Sequence, residues 1–155
     1  MPEYLTRDAV ETVALNAPIP FIDSIPCTKG LVYHQNGTGI LILRGKTNNC
    51  FARYEVEFTG NIAIPEEGEI TPIATAIVVN GESRIGSRSI FTPTETDEYG
   101  NVTSRATIDV PCGCCFTVSV EYVSGNVADP TIIPTPFINV IDGSLSISRD
   151  RKSVV

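Results

Sequence analysis

Side chains that alternate between apolar and polar dominate the chain from about residue 50 onward. After Pro111, Cys114, Phe116, Val118, Val120 and Tyr122 fall on one parity, and Cys115, Thr117, Ser119 and Glu121 on the other. A period of two with one apolar face predicts a half-buried antiparallel strand. Residues 51–58 predict a second, with Ala52, Tyr54, Val56 and Phe58 inward and Arg53, Glu55 and Glu57 outward. Residues 102–110 predict a third, with Arg105 and Asp109 outward. Two segments, 39–45 and 70–79, are apolar on both parities, so both of their faces should be covered. The expected cover for the second face is another copy of the chain. Pro18 and Pro20 make residues 17–23 an edge strand, because proline cannot donate to a central ladder. Asn36-Gly37, Asn80-Gly81 and Asp142-Gly143 each predict a two-residue hairpin turn. The last of these would join strands over 132–141 and 144–149. In all, about nine or ten short strands and almost no helix predict an all-β sandwich or barrel.

The ends read differently. Residues 1–16 have apolar spacing too thin to choose between a short helix over 6–15 and an extended arm, and are read as a short N-terminal arm, a kind of segment that is either frayed or used for docking. Residues 17–149 form the domain, and 150–155 a polar C-terminal tail. Tyr4, Leu5, Val10 and Val13 are the apolar residues with which the arm would dock.

Composition narrows the function classes. The chain has 155 residues, 42% hydrophobic and 19% charged, which suits one domain with its own core. A net charge of -7 argues against a nucleic-acid partner, which needs clustered Lys and Arg. No apolar run is long enough to span a bilayer, so no membrane partner is expected. Residues 1–8 lack a basic segment followed by an apolar one, so no secretory signal is expected.

Five cysteines cannot all pair within one chain. Without a secretory signal the expectation is free, buried thiols, with Cys114 on the core face. Cys27, Cys50, Cys112 and Cys115 are the candidates for disulfides formed after release into an oxidising medium, or for a metal site built on the Cys112-Gly113-Cys114-Cys115 spacing. His34, the one histidine, has no nucleophile-elbow motif beside it and is expected at the surface or an interface rather than in a triad. The loop Glu95-Thr96-Asp97-Glu98, with Asp109 downstream, lacks calcium-loop spacing and reads as a solvated acidic turn. With no Trp, any sugar-stacking platform would depend on Tyr33, Tyr99 or Tyr122. No catalytic residue and no cofactor is expected.

Four segments together carry a family resemblance: residues 30–45, the run Asn49-Cys50-Phe51-Ala52-Arg53-Tyr54, the run Gly60-Asn61-Ile62-Ala63-Ile64-Pro65, and residues 108–118. Over about residues 14–149 the chain resembles small proteins of Firmicutes and their phages whose domain looks like the tumour-necrosis-factor/complement-C1q (TNF/C1q) jelly roll. No Gly-X-Y repeat precedes it. The resemblance implies a ten-stranded antiparallel jelly-roll sandwich that assembles as a compact homotrimer. The segments apolar on both parities supply the expected trimer interface, with Ile40, Leu41, Ile42, Leu43, Ile73, Ile77 and Val79. The role expected is that of a structural, non-enzymatic virion component, a capsid decoration or head fibre whose partner is a capsid shell protein. The alternative is a binding or adhesion module of a bacterial cell or spore surface that recognises glycan or protein.

Overall fold

The computed structural model describes residues 3–6, 10–25, 31–35, 37–125, 131 and 133–150. Cys27, Asn36 and the tail beyond Asp150 lie outside them. Twelve strands follow one another: β1 (Glu3–Leu5), β2 (Glu11–Ala14), β3 (Asp23–Ile25), β4 (Val32–His34), β5 (Leu41–Arg44), β6 (Phe51–Ala63), β7 (Ile73–Val79), β8 (Glu82–Ser83), β9 (Ser89–Phe91), β10 (Gly100–Pro111), β11 (Cys115–Ser124) and β12 (Phe137–Asp150). A single 3-10 turn, Ile85–Ser87, separates β8 from β9. The strands form two six-stranded sheets. The first runs β10-β6-β12-β1-β3, with β2 also on β12; the second runs β4-β5-β11-β7-β8, with β9 also on β7. Every pairing between the named strands is antiparallel.

The alternation read from the sequence places the core. β6 and β10 pair without interruption from Gly100↔Ile62 to Pro111↔Phe51. In that register Tyr54, Val56 and Phe58 share an inward face with Ile108 and Val110, and all five are buried. Leu41 and Leu43 of β5, Ile73 and Ile77 of β7, and Val118, Val120 and Tyr122 of β11 meet them from the second sheet. Three tyrosines are buried, Tyr4, Tyr54 and Tyr122, and the hydroxyls of the last two bond backbone carbonyls. Tyr54 reaches the Arg44 and Leu31 carbonyls, and Tyr122 donates to the Thr135 carbonyl at 2.6 Å. One polar pair crosses the sandwich, with Thr75 and Ser104 hydroxyls 2.9 Å apart.

Three expectations are corrected here. The described residues of 1–16 form no free arm: β1 and β2 both pair with β12, and Tyr4 and Val13 are core residues. Asp142-Gly143 is no hairpin. The flanking residues both pair with β6 in the same direction, Ile141 with Asn61 and Ser144 with Thr59, so β12 carries one extra residue there. Asp142 adopts φ 52°, and the positive φ makes a bulge rather than a reversal. Thr6 clamps it, donating its N–H to the Gly143 carbonyl at 3.0 Å and accepting the Gly143 N–H at 2.9 Å. Finally, β7 is covered on both faces within one protomer: Ala74, Ala76 and Val78, on the parity opposite Ile73 and Ile77, are also buried. A second copy is not needed to cover them. The Asn80-Gly81 turn is as expected, with both residues at positive φ between paired Val79 and Glu82.

Burial pushes the Tyr4 and Tyr122 phenols up to about 12. In the unfolded chain they ionise near pH 10. Above that pH only the unfolded state releases these protons readily, so stability is full below about pH 10 and is lost as pH rises through about 12. Alkaline titration should therefore show tyrosinate absorbance from these two residues rising together with loss of the β circular-dichroism signal. A full tyrosinate signal from an intact fold would contradict this placement.

Candidate functional site

The residues singled out from sequence do not converge on one site. Of the seven expected at a trimer interface, Leu41, Leu43, Ile73, Ile77 and Val79 lie in the protomer's own core. Ile40 is 52% exposed and Ile42 half-buried. These two share a face with Tyr33, 51% exposed, which pairs with Ile42 across β4 and β5. Of the four expected docking residues, Tyr4 and Val13 are internal, Leu5 is half-buried, and Val10 is exposed. His34 is half-buried, with Nε2 donating to the Thr38 carbonyl at 2.8 Å and its ring against the edges of Tyr4 and Phe21. Tyr122 is internal and cannot stack on a sugar.

The acidic loop is held by its own contacts. Glu98 accepts bonds from the Thr94 N–H and hydroxyl, and Asp109 pairs with Arg53 at 2.8 Å on β10. No three of the described His, Cys, Asp and Glu side chains are grouped to hold a metal. On the outer face of β11, burial pushes the Glu121 carboxyl up, against the lowering effect of the Ser119 hydroxyl bond.

The thiols gather at one end, and all four described ones are exposed rather than buried. β10 ends at Pro111, and Cys112-Gly113-Cys114 is the turn into β11, with Gly113 at φ 83°. Strand alternation therefore starts at Cys115, and Cys114 is not on the core face. Continuing the β6–β10 register one step past Phe51↔Pro111 sets Cys50 opposite Cys112, and the Cys112 N–H donates to the Cys50 carbonyl at 3.0 Å. Arg149 sits nearby, its guanidinium 5.5 Å from the Tyr54 ring centroid and bonded to the Lys46 carbonyl.

At the other end of β12 lies a cleft of about 740 Å3 that sequence reasoning missed. Its walls come from the β6–β7 loop, from Val10 before β2 and Thr12 within it, from Asp97 between β9 and β10, and from residues 133–137 and 139. Three apolar side chains stand open on it: Ile133 at 84% exposure, Phe137 at 47% and Val10 at 42%. Four carboxylates, Glu66, Glu67, Glu69 and Asp97, line the same space, and no Lys or Arg does among the described residues. Thr135 is 97% buried beneath it (3% exposed), and its hydroxyl bonds to no described residue. Gly68 lies over that hydroxyl; a Cβ there would come within 2.9 Å of it. The two loops are more than sixty residues apart in sequence, as Glu66 and Ile133 show, and only sheet pairing brings them together.

No family model and no curated protein matches the sequence. Solved structures do. The globular domain of zebrafish complement 1qA superposes with a TM-score of 0.56 at 14% identity, over 94% of each chain. Eiger TNF from S. frugiperda gives 0.63 at 11% identity, over 99% of this chain and 96% of that one. Murine APRIL gives 0.55 at 10% identity, over 94% and 97%. The chain has the TNF/C1q jelly-roll fold. The ten-stranded expectation roughly fits: the described residues give twelve strands, with β8 and β9 as short separate pieces along the edge of β7 and β1 and β2 as separate pieces along β12.

Proposed function

We propose that this TNF/C1q-like jelly roll is a structural, non-enzymatic homotrimer that decorates or reinforces a phage capsid. The observation that carries the trimer is the apolar set on the outer face of the second sheet, where Tyr33 and Ile40 are exposed and Ile42 is half-buried. A cluster of large apolar side chains left in water marks an association surface. The remaining expected interface residues support the sandwich instead. Because β1 and β2 are sheet strands, removing residues 1–16 would unsettle the fold, so point variants are the better probe of docking. Two measurements test the proposal. Sedimentation equilibrium of the intact protein should give three chain masses, and a monomer overturns the trimer. The gene should lie beside major capsid and portal genes; a place among bacterial surface genes favours the second reading.

That second reading is a binding module on a bacterial cell or spore surface. The cleft favours it, and favours protein over glycan as the target: the chain has no Trp, and Phe137 is the one exposed aromatic ring among the described lining residues.

In either setting the protein meets oxidants after leaving a reducing cytosol, and Cys50 and Cys112 are the pair placed to respond. One bond, from the Cys112 N–H to the Cys50 carbonyl, holds the two backbones side by side, while the Cys112 thiol donates to the Thr47 carbonyl at 3.3 Å and must turn from it to bond Cys50; a disulfide spans Cα separations of about 4.4–6.8 Å. With oxidised glutathione as oxidant, one thiolate attacks a glutathione sulfur and releases one reduced glutathione. The second thiolate then displaces the other. Peptide mapping should find Cys50 linked to Cys112, with Cys114 and Cys115 still alkylatable. A link between Cys112 and Cys115, or between chains, as the main product would contradict the register argument.

A further inference from the structure

We infer that the cleft at the start of β12 is a docking site for a partner's peptide segment that carries Lys or Arg beside branched aliphatic side chains. Three independent properties of the cleft select that chemistry. Ile133, Phe137 and Val10 offer apolar contact that is open to water in the isolated chain, and covering it is favourable. Glu66, Glu67, Glu69 and Asp97 crowd negative charge onto the same space with no described cation among the lining residues, so a cationic segment is drawn in and an anionic one repelled. The Thr135 hydroxyl is buried beneath Gly68 without a described partner, so a segment that draws Gly68 aside gains a polar group for its backbone to satisfy.

A second copy of the chain fits less well. The chain carries a net charge of -7, so self-association through a carboxylate-rich cleft brings like charges together. The apolar set Tyr33, Ile40 and Ile42 provides a separate surface for association between copies, on the other sheet. The inference gives the docking role proposed above a surface. It rests on that reading only for the source of the partner, since peptide binding is measured without any particle or oligomer.

The test uses the full chain and a fluorescein-labelled synthetic peptide, Lys-Val-Lys-Val-Lys, followed by anisotropy. Two control peptides replace Lys by Glu or Val by Ser. Saturable binding of the Lys-Val peptide, about tenfold tighter than either control, is expected, with weakening as salt rises. Two variants localise it. Ile133→Ser changes a side chain that is 84% exposed, so folding is retained, and it should weaken binding about tenfold. The double substitution Glu67→Lys with Glu69→Lys should do the same. The inference is overturned if no saturable binding occurs, if the Glu-Val peptide binds equally, or if both variants bind like the parent. It is also overturned if Ile133→Ser alone lowers the sedimentation mass, for then the cleft is an interface between copies. A correct trimer mass and capsid gene neighbourhood with no peptide binding would remove the cleft and leave the structural role standing.

Discussion

Leu43→Ala is expected to destabilise each protomer by about 2–5 kcal/mol, whereas Ile40→Ser leaves protomer stability within about 0.5 kcal/mol. The two residues lie three apart on one apolar run, and the run itself suggests that both serve one surface. Their environments separate them. Leu43 is fully buried, opposite Phe116 on one side and Val32 on the other, in the shared core. Its loss removes both the transfer energy of the side chain and the contacts around the cavity left behind. Ile40 stands 52% exposed, so its replacement touches association alone. Denaturant unfolding at several protein concentrations separates the effects, because a linked oligomer makes the midpoint concentration-dependent. A Leu43→Ala protein of parental stability that dissociates would return Leu43 to the interface and reverse the assignment.

Gly45→Ala should cost about 3 kcal/mol or more. A Cβ at Gly45 would overlap the Pro111 carbonyl oxygen and lie 3.1 Å from the Cys114 carbonyl oxygen. Both are backbone atoms, so no side-chain rotation relieves the overlap. The glycine is clasped there from both sides: its N–H donates to the Cys114 carbonyl at 2.8 Å, and its carbonyl accepts the Gly113 N–H at 2.9 Å. Splaying this clasp disturbs the turn that carries Cys112, so the variant should also form the Cys50–Cys112 bond more slowly. Gly81→Ala is the contrast. Its φ is 85°, but nothing lies within 4 Å of the added carbon, and the cost is the left-handed backbone alone, about 1–2 kcal/mol. Equal losses for the two variants in thermal unfolding would rule out the steric account of Gly45.

β6, β10 and β11 were legible because each has one wet face and one dry face, and their side chains record it residue by residue. Where both faces are dry, that record disappears. β7 reads as apolar throughout, and its sequence cannot say whether Ala74 and Ala76 are covered by the same chain or another; the fold covers them itself. Positive-φ signals carry a similar ambiguity. Asn80-Gly81 reverses the chain, while Asp142-Gly143 only adds a residue to β12, since the partner strand continues past it. Tyr4 looked like an arm residue because β1 is three residues long and has no periodicity to read; its burial depends on β3 and β12, more than fifteen and more than a hundred residues away. The cleft was illegible for the same reason. Neither Glu66-Glu67-Gly68-Glu69 nor Pro134-Thr135-Pro136-Phe137 is distinctive alone, and their meeting is a property of the sheets.

The pairing of Glu3 with Ser146 also sets a timetable. The first sheet has β12 in its middle, between β6 on one side and β1 and β2 on the other. Until residues near 146 have left the ribosome, β1, β2 and β6 have no common neighbour to join. β1, β2 and the edge of β6 that faces β12 therefore wait unpaired until then, and topologies so dominated by distant contacts fold slowly. Production yield should thus respond more to chaperone supply and lowered growth temperature than to the stability of the finished domain.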